Sequence, residues 1–151
     1  EDFSKPKILW AETMRIRQKN NERFPRFSYC PEPIFTDKTC FMAIGDDLQF
    51  VLAFLNSKVG RYQISQTVAI LDNGGYLMQK MYIEQYRIAK VCLTVRTRLL
   101  SLVEKLLNAS ATVAQEEAEN EIDEIVFDAF GISKDEQTFL KQELSKPLER
   151  G

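Results

Sequence analysis

The residues with the clearest chemistry lie in a basic segment near the N-terminus, residues 12–27. Its cations are opposed only by Glu12 and Glu22 and comprise Arg15, Arg17, Lys19, Arg23 and Arg26. Lysine and arginine supply most of the affinity of proteins for nucleic-acid phosphates, and arginine also reads guanine edges with paired hydrogen bonds. Interleaved amides such as Asn20 can read adenine edges. The segment therefore indicates contact with a polyanion, with a solvated loop as the alternative.

Net charge is distributed unevenly along the chain. Residues 1–100 hold 15 Lys and Arg against 10 Asp and Glu, a net charge of +5. Residues 101–151 hold 5 against 12, a net charge of −7, so the total is −2. A basic N-terminal part joined to an acidic C-terminal part suggests two roles, and a polyanion suits the first part.

Residue types needed for self-contained catalysis are missing. The absence of histidine excludes His-based triads, His general bases and most mixed Cys/His zinc sites. No Walker loop, GxGxxG pattern or nucleophile elbow occurs. We interpret Asp46 and Asp47 as helix caps rather than metal ligands, and the acids between Glu116 and Glu124 as a solvated face. The sequence therefore predicts no catalytic residue and no metal site.

Cysteine usage and hydropathy indicate a cytoplasmic protein without membrane contact. Cys30, Cys40 and Cys92 lack CxxC spacing, and we interpret them as buried thiols in a reducing cytoplasm. No apolar run approaches the roughly 20 residues needed to cross a bilayer, and nothing resembles a signal peptide. The chain begins with Glu1 rather than Met, which suggests a segment of a longer protein.

The elements that must position the basic segment are organised around residues 39–65. Residues 40–44 are apolar throughout, which predicts a strand covered on both faces. After Gly45, Asp46 and Gln49 form a capping-box pattern. Apolar residues then follow one stripe from residue 48 to residue 62, which predicts a single continuous helix. The polar side chains that lie off this stripe are Asn56, Lys58, Arg61 and Gln63.

Other elements flank this unit. Short strands are predicted at residues 7–10, 24–29 and 76–83, the last following a glycine-rich turn at residues 72–75. Residues 12–27 hold no apolar period, which predicts a loop or an exposed hairpin. Residues 88–113 carry a heptad seam, which packs either on the same chain or on a partner helix, and we favour an antiparallel pair within the chain.

Two further helices are predicted from their end signals. One starts at Glu116 and ends at Gly131, where glycine followed by Ile132 is typical of a C-terminal cap. The next opens with the capping box of Ser133 and Glu136. Together the patterns predict an α+β fold: a small mixed β-sheet region packed on a helix, followed by a C-terminal helical hairpin or bundle.

Four segments, taken in order, resemble the TaqI-like C-terminal specificity domain of type II restriction-modification enzymes. They are KPKILW at 5–10, TCFMAIGDDLQFVLAFLNSK at 39–58, GGYLMQKMYIEQ at 74–85 and ENEIDEIVFDAFGIS at 119–133. The chain departs from the family in two ways. The prolines that often follow the I-E-Q segment are missing, and so are the N-P-P-Y motif and the S-adenosylmethionine loop of the methyltransferase.

The resemblance implies that residues 1–87 recognise a specific sequence in double-stranded DNA. Residues 88–151 would form a helical spacer that docks on a methyltransferase domain of the same parent chain. That upstream domain would methylate adenine N6 with S-adenosylmethionine, with or without an attached endonuclease, and the present chain would bind no cofactor. The residues expected to contact DNA are Arg15, Arg17, Lys19, Asn20, Arg23, Arg26 and Tyr29, with Asn73, Gln79 and Lys80 after the organising helix. The alternative function is a protein-interaction or oligomerisation module that uses helix 88–113.

Overall fold

The computed structural model describes residues 4–11, 13–15, 27–32, 40–70, 75–79 and 86–145. Its strands are β1 (Lys7–Ala11), β2 (Thr13–Arg15), β3 (Ser28–Cys30), β4 (Cys40–Ala43), β5 (Ala69–Ile70) and β6 (Gly75–Leu77). Its helices are α1 (Leu48–Asn56), α2 (Lys58–Thr67), α3 (Leu93–Asn108), α4 (Thr112–Ala129) and α5 (Lys134–Ser145). The predicted α+β class with C-terminal helices is confirmed.

Two small antiparallel sheets lie in the N-terminal part of the chain. The first has the order β3-β1-β4, with Leu9 opposite both Ser28 and Met42. The second has the order β2-β6-β5. Strand β1 confirms the strand predicted at residues 7–10. Strand β2 was not predicted, because its three residues show no apolar alternation and its partner β6 lies about sixty positions away along the chain.

Trp10 joins the two sheets. Its side chain is buried and packs against the rings of Phe27 and Phe41, with centroids 5.6 and 5.8 Å away. Its indole N–H donates a 2.9 Å hydrogen bond to the carbonyl oxygen of Met78, just beyond β6. The burial of the ring and the satisfied indole donor together fix the segment after β6 against β1.

The strand predicted at residues 40–44 forms, but its expected burial is wrong. Phe41, Met42 and Ala43 are only half-buried, and Ile44 is exposed. The reason is that β4 lies at one edge of the β3-β1-β4 sheet, at least among the described strands. An apolar composition alone did not distinguish this edge strand from a fully covered one.

The single helix predicted from residue 48 to residue 62 is in fact two helices with a break at Ser57. Ser57 has an extended backbone, with φ −70° and ψ 163°. Its side-chain oxygen donates to the carbonyl of Phe54 at 2.6 Å and accepts from the N–H of Gly60 at 3.1 Å. Serine competes for backbone groups in this way at helix ends, so α1 ends here and α2 begins.

The predicted capping box at Asp46 and Gln49 is also wrong. Helix α1 begins at Leu48, and its N-cap is Asp47, which has a left-handed backbone with φ 60° and makes no side-chain cap bond. The Asp47 carboxylate instead pairs with the guanidinium of Arg96 on α3. This pairing, together with the stacking of Arg96 over the Phe50 ring at 4.6 Å, ties the start of α1 to the start of α3.

The heptad helix packs inside the chain, as the favoured alternative predicted. It is shorter than expected, because α3 begins at Leu93 rather than residue 88 and ends at Asn108 rather than residue 113. Leu99, Leu102 and Val103 are buried, and α3 contacts both α4 and α1. The antiparallel arrangement with α4 is visible in the bond from Arg98 to Glu121, 2.7 Å between nitrogen and oxygen. Cys30 is buried as predicted, whereas the thiol of Cys92 is exposed.

The turn between α4 and α5 has the predicted end signals. Gly131 takes φ +66°, and the N–H of Ile132 donates to the carbonyl of Phe127 at 2.9 Å, a Schellman cap. Ser133 and Glu136 form the reciprocal capping box, with nitrogen–oxygen distances of 3.0 and 3.2 Å. Both predictions are confirmed.

This capping box should be visible in a titration. Hydrogen bonds from the backbone and side chain of Ser133 lower the pKa of the exposed Glu136 carboxyl below its ordinary value. Because the folded-state pKa is the lower one, the stabilisation is present at neutral pH and is lost as pH falls through that pKa. NMR titration should give Glu136 a midpoint below the ordinary value of a glutamate side chain, and Ser133→Ala should raise that midpoint. An unchanged midpoint in Ser133→Ala would contradict the assignment.

Candidate nucleic-acid interface

The second sheet brings the two predicted DNA-contacting segments together. Strand β2 carries the first basic residue of the N-terminal segment, and it pairs with β6 in the register Thr13↔Leu77, Met14↔Tyr76 and Arg15↔Gly75. Strand β6 in turn pairs with β5 on its other side. The beginning of the basic segment and the segment after the glycine-rich turn therefore lie on one sheet, although about sixty residues separate them in sequence.

The structure describes only three of the ten predicted site residues. Arg15 ends β2, Tyr29 lies in β3, and Gln79 follows β6 by two positions. Gln79 is half-buried beside Met78, which Trp10 fixes. The others lie outside the described residues: Arg17, Lys19, Asn20, Arg23, Arg26, Asn73 and Lys80.

Tyr29 stands apart from the other two residues. It belongs to the first sheet, where it lies opposite Ile8, and its half-buried ring packs against the hydrophobic core. Arg15 and Gln79 belong to the second sheet and its continuation. The structure thus places Arg15 and Gln79 on the same sheet and its continuation, whereas Tyr29 contributes to core packing.

Sequence reasoning missed a residue that anchors the end of the basic segment. The side-chain amide of Asn56, the last residue of α1, bonds both backbone groups of Phe27. Its Oδ1 accepts from the Phe27 N–H at 2.8 Å, and its Nδ2 donates to the Phe27 carbonyl at 2.9 Å. This pair of bonds repeats the pattern of an antiparallel strand pair. Phe27 is the last residue of the basic segment, so these bonds hold the C-terminal end of the segment to α1.

A cleft lies beside this anchor. Its volume is about 340 Å³, and β3, the α1–α2 junction, α3 and α4 enclose it. Apolar walls come from side chains such as Leu52 and Val103, and the polar lining includes Lys58, Arg61 and Asp123. The volume is at the lower end of the range for small-molecule pockets.

Charged groups in the cleft are held within the fold. The Asp123 carboxylate, 7 % exposed, accepts from the Lys58 backbone N–H at 2.7 Å and from its Nζ at 3.0 Å. An anion at this place also suits the N-terminal end of α2. Arg61, which the helical stripe assigned to a polar face, is in fact 3 % exposed. The break at Ser57 changes the direction of the helix, so α2 packs against α4 and α5 while α1 packs against α3.

Tyr86 closes the α1–α2 junction from outside the helices. Its hydroxyl donates to the Phe54 carbonyl, the same oxygen that the Ser57 hydroxyl contacts. Burial raises the pKa of the Tyr86 phenol far above its ordinary value, and its interaction with Ser57 acts in the opposite direction. The hydroxyl therefore stays protonated and keeps donating at all physiological pH values.

Other classes of site are not seen in the described parts of the chain. Within these ranges, no three His, Cys, Asp or Glu side chains lie close enough together to hold a metal ion. None of the helices α1 to α5 combines the length and apolar character needed to cross a membrane. No protein-family model matches the chain, and no curated protein matches it as a relative.

Proposed function

We propose that the chain is a DNA target-recognition domain of the TaqI-like kind, part of a type II restriction-modification enzyme. The observation that supports this most directly is the pairing of β2 with β6, which puts Arg15 and the segment leading to Gln79 on one sheet. A recognition surface needs cations and amide side chains presented together, and the two predicted segments supply both.

The mechanism is base reading without catalysis. Loop side chains from the two segments enter the major groove, where arginine pairs with guanine edges and asparagine or glutamine with adenine edges. The remaining cations contact phosphates and fix the orientation of the domain on the duplex. A methyltransferase domain of the same parent chain, working in the cytoplasm with S-adenosylmethionine, flips the target adenine and methylates it.

A salt titration tests this function. The chain should bind a fluorescein-labelled duplex of mixed sequence, and anisotropy gives the association constant at each salt concentration. If the five basic side chains of residues 15–26 contact phosphates, log K should fall against log salt with a slope of about −4 to −5, since each contact contributes about −0.9. Arg17→Ala should weaken binding and leave the free energy of unfolding unchanged.

Lys105→Ala is the matched control, because Lys105 is an exposed cation on α3 in the acidic C-terminal part. It should leave both the affinity and the slope unchanged. A flat salt response of the unmodified chain would overturn the proposed function. Equal losses in the two variants would show that the basic segment has no special part in binding.

A second candidate is an oligomerisation module. Leu93, at the start of α3, is 77 % exposed, and Val113 and Leu107 near the α3–α4 turn are exposed as well. Together with Ile88, these side chains are the large apolar residues of the heptad region that are exposed in the described part of the chain, since its central residues pack within the chain. Light scattering over a range of protein concentrations distinguishes the two candidates: a stable oligomer that Leu93→Asp converts to a folded monomer favours the module.

A further inference from the structure

An open groove beside the C-terminal end of α2 has a composition suited to a phosphate backbone. Its volume is about 590 Å³, and the described residues that line it are Tyr62, Gln63, Gln66, Thr67 and Arg87. We propose that this groove contacts the phosphates of duplex DNA, with Arg87 as the principal cation and Gln63 as the residue that positions it. The inference rests on the proposed function and extends it to residues outside the two predicted segments.

Gln63 holds the backbone of Arg87 in a defined place. Its Oε1 accepts from the Arg87 N–H, and its Nε2 donates to the Arg87 carbonyl, both at 3.1 Å. Both backbone polar groups of Arg87 are thereby used, although the residue lies in no strand or helix. The long side chain is left to extend from a fixed point, which lowers the entropy lost when its guanidinium binds an anion.

The Arg87 guanidinium is exposed and available. No hydrogen bond or ion pair of its side chain occurs among the described residues, in contrast to three other cations of the helices. Lys58 pairs with Asp123, Arg96 with Asp47, and Arg98 with Glu121. A planar guanidinium can give two parallel hydrogen bonds to one phosphate, and these charge-assisted bonds are about twice as strong as neutral ones.

The described residues that line the groove carry no negative charge. Residues 48–70 and 86–103 contain no aspartate or glutamate, and the second range adds the exposed Lys90 close to Arg87 in sequence. Helix α5 packs on α2 and carries acids, but none of them lines the groove. The local charge is therefore complementary to a phosphate backbone.

The groove continues from the proposed recognition sheet. Helix α2 ends at Thr67, and Val68 alone separates it from β5. Strand β5 pairs with β6, which pairs with β2 and so with Arg15. A duplex read by the segments at β2 and β6 would pass the β5 edge and the end of α2, where Arg87 and the amide of Gln66 can reach its backbone.

Arg87→Gln tests the inference, because it removes the charge and keeps a polar side chain of similar reach. Binding to the labelled mixed-sequence duplex should weaken several-fold at low salt, and the salt slope should become less negative by about 0.9, the value of one phosphate contact. Arg87→Lys should restore the slope. Gln63→Ala should lower the affinity although Arg87 is still present. If Arg87 bound phosphate without being positioned by Gln63, this variant would bind as the unmodified chain does.

The control is Arg98→Gln, the same change at an exposed arginine that pairs with Glu121 on α4. It should leave the slope unchanged, and urea denaturation should show all variants folded. If the unmodified chain binds with its steep slope and Arg87→Gln binds identically, this inference is overturned and the proposed function stands. Equal slope changes in Arg87→Gln and Arg98→Gln would also overturn it. If the unmodified chain does not bind the duplex, both are overturned.

Discussion

Gly60→Ala should lower the free energy of unfolding by about 3 kcal/mol or more, because there is no space for a side chain at this position. A Cβ atom on Gly60 would overlap the Phe54 carbonyl oxygen and the Tyr86 hydroxyl, and would lie 2.7 Å from the Leu55 carbonyl oxygen. Two of these neighbours are backbone atoms of the last turn of α1. They cannot move without opening the α1–α2 junction, so the substitution should weaken both helices.

Gly131→Ala is the matched control for this prediction. Gly131 has φ +66° and no heavy atom within 4 Å of an added Cβ, so its cost comes from the backbone conformation alone. That cost is about 1–2 kcal/mol. Urea denaturation followed by circular dichroism measures both variants. A loss at Gly60 no larger than that at Gly131 would show that the junction tolerates a side chain.

Phe54→Ala should cost about 3–5 kcal/mol, the range for removing a large aromatic side chain from a core. Phe54 is 0 % exposed, and its ring meets those of Phe50 and Phe130 edge to face, with centroids 5.1 and 6.0 Å away. Phe130 is the C-cap of α4, so this contact joins the N-terminal helices to the C-terminal ones. We expect unfolding to remain a single transition, because one hydrophobic cluster contains residues of both parts.

Phe139→Ala provides the comparison, since Phe139 on α5 is 54 % exposed. Its effect should stay within about 0.5 kcal/mol. The urea midpoint should differ between the variants. Within each variant, however, the fluorescence of Trp10 and the circular dichroism of the helices should give the same midpoint. Two separate midpoints would instead show that residues 1–87 and 88–151 unfold independently.

Features fixed by nearby residues could be predicted from sequence. The Schellman cap at Gly131 and the capping box at Ser133 need only partners within six positions along the chain, and both form as expected. The break at Ser57 was not predictable in the same way. The junction is closed by Tyr86, which is 29 positions downstream of Ser57. In the sequence, the apolar stripe continues unbroken through the junction and so predicts a single helix.

The candidate site also depends on contacts between residues that are far apart in the sequence. The pairing of β2 with β6 has no local pattern, so residues 12–27 were predicted as a loop or hairpin. Asn56 and Gln63 were placed on a polar helix face, although they bond backbone groups 29 and 24 positions away. A polar side chain on a helix surface has the same sequence pattern whether water or a remote backbone is its partner.

The two carboxamide anchors limit which substitutions the chain can accept. At positions 56 and 63 the side chain must donate a hydrogen bond to the backbone carbonyl of one residue and accept another from the N–H of that same residue. Aspartate and glutamate have the right shape but cannot donate when ionised, and leucine can do neither. In related sequences, these two positions should keep asparagine or glutamine even where the exposed residues around them differ.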